Sequence, residues 1–326
     1  LDVKNLQTRF KVRAGQLYAV NGVSFALDKG EMLGVVGESG CGKSVTMMSL
    51  IKLLPPSARI TGGTVTLDGV DLTKAGRKEM NAIRGSKVGM IFQDPMTSLN
   101  PFLKIGLQLS EGLVYHKGMS MADALKRSAA YLDMVGISNS AHRLDEYPHQ
   151  LSGGMRQRVM IAMALLSEPP LVIADEPTTA LDVTIQAQIV ELVKELRTKL
   201  DTTIIWITHD LSLLAGMVDR IMVMYAGFVV EEASLDDIYK DPRHPYTLGL
   251  LESIPRIAAS GSKRLSSIGG APPNLTVQPT SCPFAPRCKF RTERCDRENP
   301  VLAPVPGAAE GSRHRIACWA DVRKGR

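Results

Sequence analysis

The sequence predicts an α/β protein: a parallel-sheet core, an antiparallel β layer before it, a helical insertion within it and a Cys-rich tail after it. Three observations carry this. The apolar run Leu33-Gly34-Val35-Val36 leads into Gly37-Glu38-Ser39-Gly40-Cys41-Gly42-Lys43-Ser44 and then a helix-like stretch, Val45 to Leu54. The continuous apolar runs Leu171 to Ala174 and Thr203 to Ile207 flank an amphipathic stretch with Ile185, Ile189, Leu192, Val193, Leu196 and Leu200 at helical spacing. Strand, helix and strand in that order make a βαβ unit and a parallel sheet. After about Ser260 apolar periodicity disappears into Pro, Gly, Ser and Arg.

In chain order, Leu1 to Leu6, Tyr18 to Ala26 and Thr64 to Leu67 read as short strands of an antiparallel layer. Val88 to Phe92 reads as a strand that delivers Gln93, with the turn-rich Asp94 to Pro101 after it. Helical periodicity from about Phe102 to His142 predicts an inserted helical subdomain, about residues 94–155. Ile221 to Tyr225 and Phe228 to Glu231, separated by Ala226-Gly227, predict a closing hairpin. Residues 1–255 then form one domain and 256–326 an extension too poor in aliphatic residues to build a core unaided.

The net charge of +6 is uneven: residues 256–326 hold 13 Lys/Arg against 5 Asp/Glu, which leaves −2 for residues 1–255. The basic character belongs to the tail, either as a solvated face or as a contact for something anionic. No apolar run is long enough to span a bilayer and no signal-peptide pattern opens the chain, which predicts a cytoplasmic protein. In a reducing compartment the four tail cysteines, Cys282, Cys288, Cys295 and Cys318, argue for a metal before disulfides.

Residues 37–44 form a P-loop, and the fold is of the P-loop NTPase type. Gly37, Gly40 and Gly42 let backbone N–H groups turn inward, so that Gly37 through Val45, Ser39 included, cradles a phosphate chain. Lys43 is expected on the β- and γ-phosphates and Ser44 on Mg²⁺, with Asp175 as a second metal-side group. Glu176 is placed to polarise the attacking water as general base. Cys41 reads as a small filler. Leu151-Ser152-Gly153-Gly154-Met155 is a second anion site: Ser152 caps a helix, Met155 to Leu166, and two glycines bare its positive end with no strand before it.

This series closely resembles the ATP-binding subunits of ABC transporters. The P-loop, Gln93, Leu151 to Met155, Asp175-Glu176, Ala180-Leu181-Asp182 and His209 match that family's Walker A, Q-loop, signature, Walker B, D-loop and switch histidine in order and spacing. The resemblance implies a head-to-tail pair of ATPase subunits, each ATP held between one P-loop and the other signature. Ser152, Gly153 and Gly154 would then bind the γ-phosphate in trans. His209 would contact that phosphate and the partner's D-loop, from which Asp182 joins the ATP site. Gln93 would touch Mg²⁺ and the attacking water and couple them to the region that grips the membrane subunits. An early aromatic would stack on adenine, with Tyr18 the candidate and Phe10 the fallback.

Phe92 to Pro101, Tyr147-Pro148-His149-Gln150 and Asp241-Pro242-Arg243-His244-Pro245-Tyr246-Thr247 are similar to the subfamily that powers dipeptide and oligopeptide import, whose relatives handle nickel or glutathione. The partners implied are a second ATPase, two polytopic permeases and, indirectly, a peptide-binding protein, at the cytoplasmic side of the membrane. No nucleic acid is implied. A DNA- or ribosome-directed ABC ATPase is the rival, against which stand the lack of a long coiled-coil insertion and of a second cassette. The cysteine spacing Cys282-x₅-Cys288-x₆-Cys295-x₂₂-Cys318 does not choose a metal. The subfamily resemblance implies a [4Fe–4S] cluster, with zinc as the alternative and no metal as the third reading.

Overall fold

The computed structural model describes residues 1–179, 181–254, 268–308 and 311–325. Ala180 of the expected D-loop and the start of the tail near Arg256 and Ser260 lie outside the described residues. Along the chain the elements run β1 (Asp2–Val12), β2 (Gly15–Ala26), β3 (Met32–Val36), α1 (Lys43–Leu50), β4 (Ala58–Leu67), β5 (Val70–Asp71), α2 (Arg77–Ile83), β6 (Val88–Ile91), α3 (Pro95–Ser98), α4 (Ile105–Lys117), α5 (Met121–Met134) and α6 (Ser140–Arg143). They continue through α7 (Gly153–Leu165), β7 (Leu171–Asp175), α8 (Val183–Leu200), β8 (Thr203–Thr208), β9 (Arg220–Tyr225), β10 (Phe228–Ser234), α9 (Leu235–Lys240), α10 (Pro245–Glu252), α11 (Glu293–Arg297), β11 (Ala303–Pro304) and β12 (Arg315–Ile316).

The chain divides into two compact units. The first comprises Leu1–Leu27, Leu33–Lys74 and Thr208–Arg326. Its antiparallel layer has the order β2-β1-β4-β5, and in its other sheet β11-β12-β10-β9-β3 are neighbours. The wholly buried β3 runs parallel to β9, Leu33 opposite Arg220 and Val36 opposite Val223. The hairpin β9–β10 turns through Ala226 (φ 51°) and Gly227 (φ 80°), both left-handed as a tight two-residue turn demands.

The tail does not stand apart as a lobe of its own; its described residues pack within this first unit. Low aliphatic content is offset by borrowed contacts. β12 pairs with β10, Glu231 opposite Ile316, and Ala317 N–H donates to Val230 O at 2.8 Å. Beneath that pairing, His314 Nε2 lies 2.8 Å from the fully buried Glu231 Oε1.

The second unit comprises Asp28–Met32 and Ala75–Ile207. Here β6, β7 and β8 run parallel, Val88 opposite Leu171 and Leu171 opposite Thr203. α8 turns Ile189, Leu192, Val193 and Leu196 inward, as its spacing demands. Between β6 and β7 lie α3 to α7, all helical. Ser120 caps α5 by accepting from Asp123 N–H at 3.1 Å.

Candidate nucleotide site

The P-loop follows β3 in the first unit, and its glycines are required by space as well as angle. Gly37 (φ 157°) and Gly42 (φ 102°) are both at positive φ. A Cβ on Gly37 would overlap the Met224 carbonyl oxygen, and one on Gly42 would overlap Ala19 O. Lys43 is buried, with Nζ donating to Gly37 O at 2.7 Å and Glu38 O at 3.1 Å. The ammonium is thus held across the loop, where it can exchange carbonyl partners for phosphate oxygens. α1 begins at Lys43, two residues earlier than the sequence suggested, because Gly42 already supplies the left-handed turn at its start. Cys41 is buried, its thiol pKa pushed up by that burial, and its carbonyl accepts from Gly227 N–H at 2.8 Å.

Tyr18 lies opposite Arg9 across the β1–β2 pair, and the Arg9 guanidinium carbon sits 4.5 Å from the ring centroid. One face of the candidate adenine platform is thus already covered by a cation. Phe10 pairs with Leu17 one position on. His209 is exposed at the start of the first unit's third segment, one residue past β8.

In the second unit β7 ends on the buried Asp175, and the next residue, Glu176, has φ 45°. A non-glycine residue in that region costs about 1 kcal/mol or more, and such strain gathers at functional positions. The Glu176 carboxylate is held from two sides: Gln93 Nε2 donates to Oε2 at 3.4 Å, and Thr179 Oγ1 donates to the same oxygen at 3.0 Å. Gln93 and Glu176, 83 residues apart, therefore touch directly. Asp182 caps α8, accepting from Ile185 N–H at 3.0 Å, so its carboxylate has a structural task of its own.

Ser152 caps α7, its Oγ accepting from Met155 N–H at 3.3 Å. α7 starts at Gly153 rather than at Met155. Ser152 and Gly153 are exposed, and a Cβ at Gly153 would meet nothing within 4 Å. That open helix end can take an anion only together with groups from elsewhere.

The four cysteines do not form the expected metal centre in the structure. Among the described residues no group of three or more His, Cys, Asp or Glu side chains is set to hold a metal ion. Two of the sulfurs accept hydrogen bonds from nearby backbone N–H groups. Phe290 N–H donates to Cys288 Sγ at 3.3 Å and Thr292 N–H to Cys295 Sγ at 3.5 Å. Burial, the largest cause, raises the thiol pKa values of Cys282 and Cys288 and pushes that of Cys318 up to about 12, while the neighbouring cysteines raise them further.

The ABC transporter family profile matches residues 20–179, and the profile for the oligopeptide/dipeptide transporter C-terminal region matches residues 230–295. The dipeptide transport ATP-binding protein DppD of Bacillus subtilis (strain 168) is 51% identical over 99% of this chain and 95% of its own length. This chain belongs to the ABC transporter ATP-binding family. The oligopeptide transport ATP-binding protein OppD of Escherichia coli (strain K12), another member, is 49% identical over 99% of this chain and 94% of its own. Among solved structures, the ATP-binding cassette MJ0796, a dimer bound to ADP and Pi, superposes with TM-score 0.65 and 31% identity, covering 72% of this chain and 98% of that one. As an ABC ATPase the chain couples ATP hydrolysis to transport. No helix among its described residues is long and apolar enough to cross a membrane.

The sequence reading missed two groups around the P-loop, Tyr246 and Arg287. Glu38 N–H donates to Tyr246 Oη at 2.7 Å, and the Glu38 carboxylate receives the Arg287 guanidinium at 2.6 and 2.8 Å. Tyr246 stood in a stretch noticed for its likeness alone, and Arg287 looked like one basic residue among many.

Proposed function

We propose that the chain is the ATPase subunit of a dipeptide or oligopeptide importer, working at the cytoplasmic side of the membrane with a second ATPase, two permeases and a peptide-binding protein. Two observations support the peptide reading: the C-terminal match at residues 230–295 and the names of its relatives, DppD and OppD. The observation that carries the mechanism is the Gln93–Glu176 contact at 3.4 Å beyond the buried Asp175.

In the mechanism, the loop from Gly37 to Val45, Ser39 among it, encloses the ATP phosphates and Lys43 turns its ammonium to them. Ser44, Asp175 and Gln93 have oxygens that would hold Mg²⁺, whose charge would, when bound, stabilise the charge of the transferring phosphoryl group. Glu176 accepts a proton from the attacking water, and Gln93, bonded to it, reports its state to the α3–α7 region. Ser152, Gly153 and Gly154 of one subunit close the γ-phosphate of the other, with His209 and the D-loop residue Asp182 completing the interface and Tyr18 facing adenine. Phe102, 86% exposed, and the exposed Met96 and Tyr115 belong to the same unit as Gln93 and are apolar side chains that a permease could cover.

Two tests apply. Uptake of labelled dipeptides by cells carrying the whole transporter should be abolished by Glu176→Gln, whereas nickel or glutathione uptake with no peptide uptake would redirect the solute. Copurification of the chain with DNA or ribosomes, and with no membrane partners, would favour the rival class.

For the tail we infer a [4Fe–4S] cluster on Cys282, Cys288, Cys295 and Cys318, with zinc as the alternative. Support comes from the N–H···S contacts, which suit thiolate ligands, and from the electrostatic coupling of the four sulfurs. Anaerobic purification with iron, sulfide and zinc analysis decides it. Zinc without iron overturns the cluster, and neither metal overturns both readings.

A further inference from the structure

The stretch Asp241 to Thr247 and the arginine before Cys288 have no part in the reaction described so far, yet both end on the second residue of the P-loop. Glu38 is gripped at three points. Its N–H donates to Tyr246 Oη at 2.7 Å, its carboxylate takes both ends of the Arg287 fork, and its carbonyl accepts from Lys43 Nζ at 3.1 Å. Arg287 is spent on this position. Its remaining N–H groups donate to Gly269 O at 2.9 Å, Ile268 O at 3.1 Å and Tyr225 Oη at 3.3 Å, so all five donors have acceptors. The arginine side chain is 3% exposed.

The anchors are themselves fixed. Tyr246 is fully buried and sits 4.7 Å from Tyr225 and 5.4 Å from Phe284, centroid to centroid. His244 Nδ1 accepts from Tyr246 N–H at 3.0 Å, and His244 N–H donates to the buried Glu231 at 3.0 Å. A second tie from the tail reaches the same side of the unit, where Tyr18 N–H donates to Leu275 O at 2.8 Å.

We infer that Tyr246 and Arg287 are positioning residues for ATP binding: the C-terminal part of the chain holds Glu38, and through it the phosphate cradle, in the binding conformation. A loop held in advance loses less freedom when it closes on a ligand. Neither residue reaches the reacting atoms, so the effect falls on affinity rather than on the chemical step. The inference rests on reading residues 37–44 as the ATP site.

The test uses the full-length chain, titrated with Mg²⁺ and a fluorescent ATP analogue, and the whole transporter for kinetics. Tyr246→Phe removes one hydroxyl from a buried ring, and Arg287→Gln removes the fork. Each should weaken the analogue by about five- to tenfold and raise KM with kcat held within about twofold. Glu38→Gln combined with Arg287→Gln should be no weaker than Arg287→Gln alone, since both changes break one contact. Should wild-type chain bind the analogue and both single variants bind it equally well, with only the melting temperature lowered, the two residues are structural and the inference is overturned. Additive losses in the Glu38/Arg287 pair would overturn it too. A wild-type chain that binds no analogue would overturn the ATP reading itself and this inference with it.

Discussion

The chain has two glycine-rich helix starts proposed to meet anions, and they differ in almost everything except that assigned purpose. The P-loop emerges from a buried strand, owns a buried cation in Lys43 and is gripped by the hairpin, α10 and the tail. The start of α7 has no strand directly before it, an arginine, Arg156, that is spent on Leu151 O at 3.1 Å, and an exposed Ser152-Gly153 pair. One is a finished half-site and the other an open surface. Helix ends offer similar backbone N–H groups in both cases, so what separates them is enclosure, which raises the worth of each hydrogen bond. A single chain should therefore bind ATP through the first and need another chain to use the second.

The largest effect that tests this contrast is on turnover. Glu176→Gln keeps the Gln93 and Thr179 contacts in reach but removes the proposed base, and should cut ATP hydrolysis by the transporter by about 10²- to 10⁴-fold. Binding of ATP to the single chain should stay within about threefold. Steady-state hydrolysis beside an equilibrium titration checks both halves, and normal turnover would remove Glu176 from its role.

Next is the buried cation. Lys43→Ala deletes the charge enclosed by Gly37 and Glu38 and should weaken ATP binding by the single chain by about 100-fold. A loss as large from Gly153→Asp in the single chain would break the comparison, because the open site would then be contributing without a partner.

Acid sharpens the contrast between the caps behind the two sites. α10 is capped by His244, whose Nδ1 must be unprotonated to accept from Tyr246 N–H. Burial lowers its pKa from 6.5 to about 4, with Glu231 opposing. The unfolded chain takes up this proton near pH 6.5 and the folded one only near 4. Stability is therefore complete above about 6.5 and falls between the two values, by about 3 kcal/mol at most. Chemical denaturation at pH 7 and pH 4.5 should show the loss, and His244→Asn, which keeps an acceptor without the titration, should flatten it. The Ser152 cap has no such dependence.

Much of the site could be read from sequence because its motifs are local: Gly37 to Ser44, Asp175-Glu176 and Ser152 to Gly154 each fit in one turn. Element ends were less visible. β1 runs to Val12, flanked by β2 and, as far as Phe10, by β4, and the charges of Arg9 and Lys11 within it hide the strand in the sequence. α1 and α7 begin earlier than expected because polar or glycine residues at a helix start resemble loop. The buttress of Glu38 was invisible for a different reason. Arg287 and Glu38 are 249 residues apart, and a single ion pair leaves no period in the chain. The cysteines show the converse: the sequence suggested a centre, while among the described residues no group of three or more such side chains is set to hold a metal ion.

The smallest effect concerns the open site alone. Ser152→Ala removes the oxygen that accepts from Met155 N–H, and a lost cap of this kind costs about 1 kcal/mol. In a chain of this size that lowers the melting temperature by about 2 °C. The affinity of the single chain for ATP should not move if, as proposed, Ser152 serves the other subunit's nucleotide. Turnover by the assembled transporter should fall by more than the stability loss explains, because the same hydroxyl is asked to meet the γ-phosphate. Calorimetry, titration and hydrolysis on one preparation separate these three quantities. A change in single-chain affinity would show that the two anion sites are not independent, and unchanged turnover would leave Ser152 a cap and nothing more.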